Sequence, residues 1–172
     1  LFKNVIASSG AFTDVIADSN GIIYASDSKG YIYVYTRDGE LIFCLGEKAG
    51  NNDVSGLFSS LTTIAVDNNG NIWTADGKKG FIQSFTPTEY ATTIYKALQE
   101  YENGDYTDAL KDWNYVLRLN QMSVLAHNGV AKAYYNDEEY DKAMEHFEIA
   151  GNRSGYSDAF WEVRNKGIQK DL

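Results

Sequence analysis

The stretch ADSNGIIYASD, residues 17–27, is rewritten as VDNNGNIWTAD at residues 66–76; Asp18 and Asp67, Gly21 and Gly70, and Asp27 and Asp76 all stand 49 apart. Self-similarity at a fixed period means one supersecondary unit folded more than once, so this feature constrains the chain before any single residue does. Each copy reads as strand, turn, strand, and each continues with a third strand opened by glycine. That strand is GYIYVYT from Gly30 in the first copy and GFIQSFT from Gly80 in the second, displaced by one extra residue in the loop DGKKG. In the first copy a fourth strand, ELIFCLG, follows Asp38-Gly39. Asn20-Gly21, Asn69-Gly70 and Asp38-Gly39 are dipeptides that tolerate positive φ at both central positions of a tight hairpin. Ahead of them FKNVIAS reads as a lone fourth strand, the first full set of strands spans residues 12–45, and the second set has three strands without a fourth.

A second period replaces the first before residue 90. FIQSF is followed at once by TPTE: the expected N-cap is Thr86, Pro87 takes the first helical position where its missing N–H is harmless, and Glu89 falls three residues after the cap. No Gly/Ser linker intervenes. Beyond it Tyr106 and Tyr140, Ala109 and Ala143, Trp113 and Phe147, Ala97 and Ala131, and Tyr101 and Tyr135 are each 34 apart. Ala109, Leu110, Trp113, Val116 and Leu117 share one helical face. In the first helix Lys96 and Glu100 interrupt that pattern, and the expected buried stripe is Ile94, Leu98 and Tyr101. Glu138 stands where Gly104 supplies the turn in the first copy.

The β half, residues 1–86, resembles the NHL family of β-propellers, four antiparallel strands to a blade, although no proline precedes either first strand. The helical half, residues 87–172, resembles tetratricopeptide repeats: GDYTDALKDWNYVLRLN and EEYDKAMEHFEIAGN match the second helix, with repeats at 90–123 and 124–157. The tail SDAFWEVRNKGIQKDL opens like a third and supplies a terminal helix, either a cap or a truncated repeat. The expected fold class is therefore α+β in two segregated parts, propeller-like blades followed by an array of helical hairpins. Two blades cannot close a ring that takes about four to eight. The opening LFKNVIASSG has neither an initiator Met nor a signal-peptide layout. Together these lead to the expectation that the sequence is the C-terminal part of a larger propeller–tetratricopeptide protein.

A net charge of −9 and a sequence pI near 4.6 argue against nucleic acid or anionic lipid as partner, since phosphate neutralisation needs clustered Lys and Arg. No run approaches the ~18 apolar residues of a membrane span, so direct membrane insertion by this segment is not expected. The resemblance, a propeller joined to helical repeats, implies a bacterial protein presented at the cell envelope or extracytoplasmic face. Cys44, alone among apolar neighbours, reads as a buried packing residue rather than a nucleophile or ligand.

Chemistry-bearing patterns are few. His127 reads as structural and His146 as lying on a solvated face. Zincin, paired-cysteine, phosphate-loop and nucleophile-elbow motifs are absent. Asp67, Asn69 and Asn71 mimic the start of a calcium loop, but the glycine comes one place early and the twelfth-position glutamate is missing, so a turn explains them better. Asp27 and Asp76, at strand ends, read as structural. Tyr31, Tyr33 and Tyr35 share one strand face and Ile32 and Val34 the other; the aromatics form either core or an exposed partner site. No catalytic, cofactor or metal residue is expected.

The tetratricopeptide resemblance implies a groove lined by first helices. In it Asn128, Lys132, Tyr135 and Asn136 from the second repeat, and Leu98 and Tyr101 with Ile94 from the first, would contact a protein or peptide partner. The function expected is a non-catalytic interaction scaffold. The alternative is part of a propeller enzyme of the lactonase type, whose site would need further blades. The unfinished β half is also expected to self-associate, with FKNVIAS pairing to a neighbouring chain or folding back on the second blade.

Overall fold

The structure, a computed structural model, describes residues 10–50 and 54–170, with side chains to residue 168. The expected first strand at residues 3–7 lies outside them. Contact density divides the chain into two units, Leu1–Pro87 and Thr88–Leu172. Antiparallel sheets make up the first and helices the second: an α+β arrangement with segregated parts.

In the β unit, β1 (Phe12–Ala17), β2 (Ile23–Asp27), β3 (Ile32–Tyr35) and β4 (Leu41–Leu45) form an antiparallel meander in that order. A second sheet follows, made of β7 (Leu61–Val66), β8 (Ile72–Asp76) and β9 (Phe81–Phe85). Between them β5 (Glu47–Lys48) and β6 (Leu57–Phe58) pair in parallel. Gln83 of β9 fastens that pair, accepting from Gly56 N at 2.8 Å and donating Nε2–H to Leu57 O at 3.3 Å.

One turn geometry recurs. At Asp18–Ile22, Asp27–Tyr31, Thr36–Glu40 and Asp67–Asn71 the first residue's N–H bonds the carbonyl four residues on. Its own carbonyl accepts from the glycine three residues on. These glycines, Gly21, Gly30, Gly39 and Gly70, are left-handed, whereas Asn20, Asp38 and Asn69 are not. The hairpins are therefore three-residue loops with a glycine bulge, correcting the expectation of positive φ at both central residues. The reason is the opening side chain. Asp18 Oδ1 accepts from Asn20 and Ile22 N, Asp27 Oδ1 from Lys29 and Tyr31 N, Asp67 Oδ1 from Asn69 and Asn71 N, all within 3.0 Å, and Thr36 Oγ1 from Glu40 N at 3.1 Å. Such an Asx turn holds the next residues right-handed and leaves only the glycine to reverse the chain.

The core of this unit gathers Ile22, Tyr24, Ile32, Val34, Phe58, Leu61, Ile64 and Ile72. Ile32 and Val34 are fully buried, and Tyr33, on the tyrosine face, is 9% exposed with its hydroxyl donating to Asp27 Oδ2. Asp14 connects the sheets: its Oδ2 accepts from Thr63 Oγ1 at 2.7 Å and Ile64 N at 3.0 Å. Those bonds, Thr63 foremost, hold its carboxyl below the usual range. Cys44 is exposed on β4, the outer strand of its sheet, which corrects its reading as a buried packing residue. Along β4 Leu41 and Cys44 are exposed, while Ile42, Phe43 and Leu45 are half-buried.

The helical unit runs α1 (Glu89–Asn103), α2 (Tyr106–Leu119), α3 (Val124–Asn136), α4 (Tyr140–Ile149) and α5 (Arg153–Lys170). The cap of α1 is Thr88, not the expected Thr86: its side chain accepts from Ala91 N, and with ψ 166° it keeps Pro87 outside the helix. The buried stripe of α1 is Ala91, Ile94 and Ala97; of the expected Ile94, Leu98 and Tyr101, Ile94 is fully buried and the other two are half-buried on the same face, while Lys96 and Glu100 belong to an ionic seam. Lys96 Nζ lies 2.7 Å from Asp112 and 3.1 Å from Glu100. Thirty-four residues on, the same stripe is Leu125, Asn128 and Ala131, all buried. Trp113 of α2 is 1% exposed and Phe147 of α4 is 4% exposed. Each ring lies against a glycine of the following helix, Trp113 on Gly129 and Phe147 on Gly155. α5 starts before the expected repeat boundary at 157, because Asn152 caps it: Oδ1 accepts from Gly155 N at 2.9 Å.

Candidate functional site

Of the seven residues expected to line a groove, Tyr101, Lys132 and Asn136 meet directly. Asn136, exposed near the end of α3, donates its amide to the Tyr101 hydroxyl of α1 at 2.9 Å and to Lys132 O at 2.8 Å. This sets Lys132 and Asn136 on one face of α3, as their i, i+4 spacing requires. Tyr135 and Tyr101 occupy equivalent places and are braced alike. Tyr101 packs on Tyr106 with centroids 5.3 Å apart, and Tyr135 on Tyr140 at 5.2 Å. Leu98 and Lys132 are half-buried. Burial raises the Tyr135 hydroxyl's pKa above its ordinary value, and the carboxylates of Glu162 and Asp158 on α5 add to the effect.

Asn128 is placed differently. It occupies the core position that Ile94 fills in α1, 5% exposed, and its Oδ1 accepts from Asn152 Nδ2 at 2.8 Å. A buried amide needs such a partner, and this one ties the start of α5 to α3. The sequence does contain the signal: the 34-residue alignment with Ile94 marks the position as interior.

The two histidines also form a pair that sequence reasoning separates. His127 Nδ1 of α3 lies 3.0 Å from His146 Nδ1 of α4, and His127 Nε2 lies 3.0 Å from Gln121 O. His146 is half-buried rather than on a solvated face, and burial, then the charge of His127, lowers its pKa from the ordinary value. Among the described residues no group of three or more His, Cys, Asp or Glu is placed to hold a metal ion.

In the β unit the carboxylates are occupied by backbone. Asp76 Oδ2 accepts from Ser59 and Ser60 N, and its Oδ1 from Lys78 and Lys79 N. Asp27 is fully buried and bonded to its own turn and to Tyr33. The calcium-like Asp67 closes a turn, its Oδ2 accepting from Asn71 Nδ2 and Trp73 Nε1. What this arrangement can do chemically is brace loops.

Among the described residues no helix is long and apolar enough to cross a membrane. Comparison with family models and with curated proteins finds no match to this chain.

Proposed function

We propose that this chain is a non-catalytic interaction module, NHL-like blades joined to tetratricopeptide-like repeats, whose helical unit holds an extended peptide of a protein partner. The observation that carries the reading is the meeting of Tyr101 and Asn136 across α1 and α3 beside Lys132 and Tyr135. These groups offer an amide, a hydroxyl, a cation and aromatic surface, the mixture a peptide backbone and carboxylate require. The experiment is a peptide-display selection on the full chain, followed by amide and tyrosine-ring shift mapping with a selected peptide. Shifts centred on Leu98, Tyr101, Lys132, Tyr135 and Asn136 support the reading; shifts confined to the β unit overturn it.

Self-association through the β half belongs to the same proposal. Among the described residues β9 pairs with β8 alone, and its Ile82 is 69% exposed. An edge of this kind is a template for strand addition. Sedimentation equilibrium at micromolar concentration checks this: dimers or larger species are expected, reduced by Ile82→Lys, and a strictly monomeric chain contradicts it.

A further inference from the structure

The His127–His146 pair has a proton count that its geometry fixes. Gln121 O can only accept, so His127 carries its hydrogen on Nε2 and, when neutral, presents a bare lone pair at Nδ1. His146 must then hold a hydrogen on its Nδ1 and donate it across the 3.0 Å gap. The ring centroids are 5.1 Å apart, 2.1 Å more than the nitrogens, so the rings meet nose to nose along the line of the shared hydrogen. A metal ion on that line needs about 2.0–2.1 Å to each nitrogen, more than 3.0 Å provides. The gap holds a proton.

From this we infer that the contact between α3 and α4 is a pH-sensitive latch, closed while the two imidazoles hold at most one positive charge and opened when both are protonated. One added proton still leaves an N–H facing a lone pair across the 3.0 Å gap. A second leaves no lone pair there and sets N–H against N–H and cation against cation. The other groups turned to the pair do not relieve this. Tyr134 of α3 has its ring 6.0 Å from that of His146 and carries Lys142 over its face. Glu145, on α4 itself, favours a protonated His146 but less than burial and His127 oppose it. α5, packed on the other side of α4, brings Gly155 and Ala159 to Phe147.

The sign follows. His146 is held below its unfolded pKa of about 6.5, so its share of stability is complete above that pH and is lost as pH falls through the folded value. The experiment is a ¹⁵N imidazole titration of the full chain together with urea unfolding at several pH values, in wild type and His146→Asn. The asparagine amide keeps a donor for His127 Nδ1 and removes one charge. We expect opposite tautomers on the two rings at neutral pH, two titration steps separated by at least about one unit, and a urea midpoint that falls between pH 7 and 5 more steeply in wild type than in the variant. Independent titration of both rings with a common midpoint overturns the latch, as does an equal fall of midpoint in the two proteins. If the variant fails to fold, the wild-type titration alone decides.

Discussion

Glu138 has φ 61°, the one left-handed residue other than glycine among those described, and it stands where Gly104, with φ 87°, turns the chain after α1. A side chain in that region is strained by about 1–2 kcal/mol. The ion pair from Glu138 to Lys166 at 2.9 Å is well exposed at both ends and offsets little of it. Glu138→Gly is therefore expected to stabilise the helical unit by about 0.5–1 kcal/mol, read as a higher urea midpoint. Asp67 gives a second residue-scale prediction. Bonds from Asn71 first and Trp73 second lower its pKa to about 2 from the model-compound value of 3.8. A depressed carboxyl stabilises the fold fully above its unfolded pKa and loses that contribution as pH falls toward the folded value. The Trp73 indole N–H resonance should hold steady above about pH 4 and shift between about pH 4 and pH 2, and Asp67→Asn should abolish that transition.

At the scale of elements, ring-on-glycine packing organises the helical unit. Trp113→Ala should destabilise it by about 3–5 kcal/mol as a buried aromatic deletion. Gly129→Ala should cost about 1–3 kcal/mol by driving a methyl into the same ring, and both show as loss of far-ultraviolet helicity at lower urea. The positions of Trp113 and Phe147 were legible from their 34-residue spacing, but the glycines that receive them were not, since a glycine inside a helical pattern reads first as a weakness. Strand placement was legible for a similar reason: Asp18, Asp27 and Asp67 mark turns wherever a glycine follows three residues later. The turn type escaped, because the dipeptide Asn-Gly suits two loop geometries and only the aspartate's bonds select between them. The α1 cap escaped likewise, since Thr86 and Thr88 flank the same proline and the choice depends on which residue is extended. Within the candidate groove, the face shared by Lys132 and Asn136 followed from helical spacing, while the burial of Asn128 depended on reading its alignment with Ile94 as stronger than its polarity.

At the scale of the whole molecule, the acidic composition agrees with the proposed protein partner rather than a phosphate-bearing one. The charge is −9 over 172 residues, and Asp18, Asp27, Asp67 and Asp76 of the β unit accept from backbone amides. We propose that the groove residues, not the sheets, capture a peptide partner. This is tested most directly by titrating a display-selected peptide into the wild-type chain and into Lys132→Ala/Asn136→Ala, with circular dichroism confirming equal helicity. Both side chains are outside the core, so the double variant should keep its fold and lose at least about tenfold in affinity, near 1.4 kcal/mol. An unchanged affinity, or a loss that tracks a fall in helicity, would contradict the account.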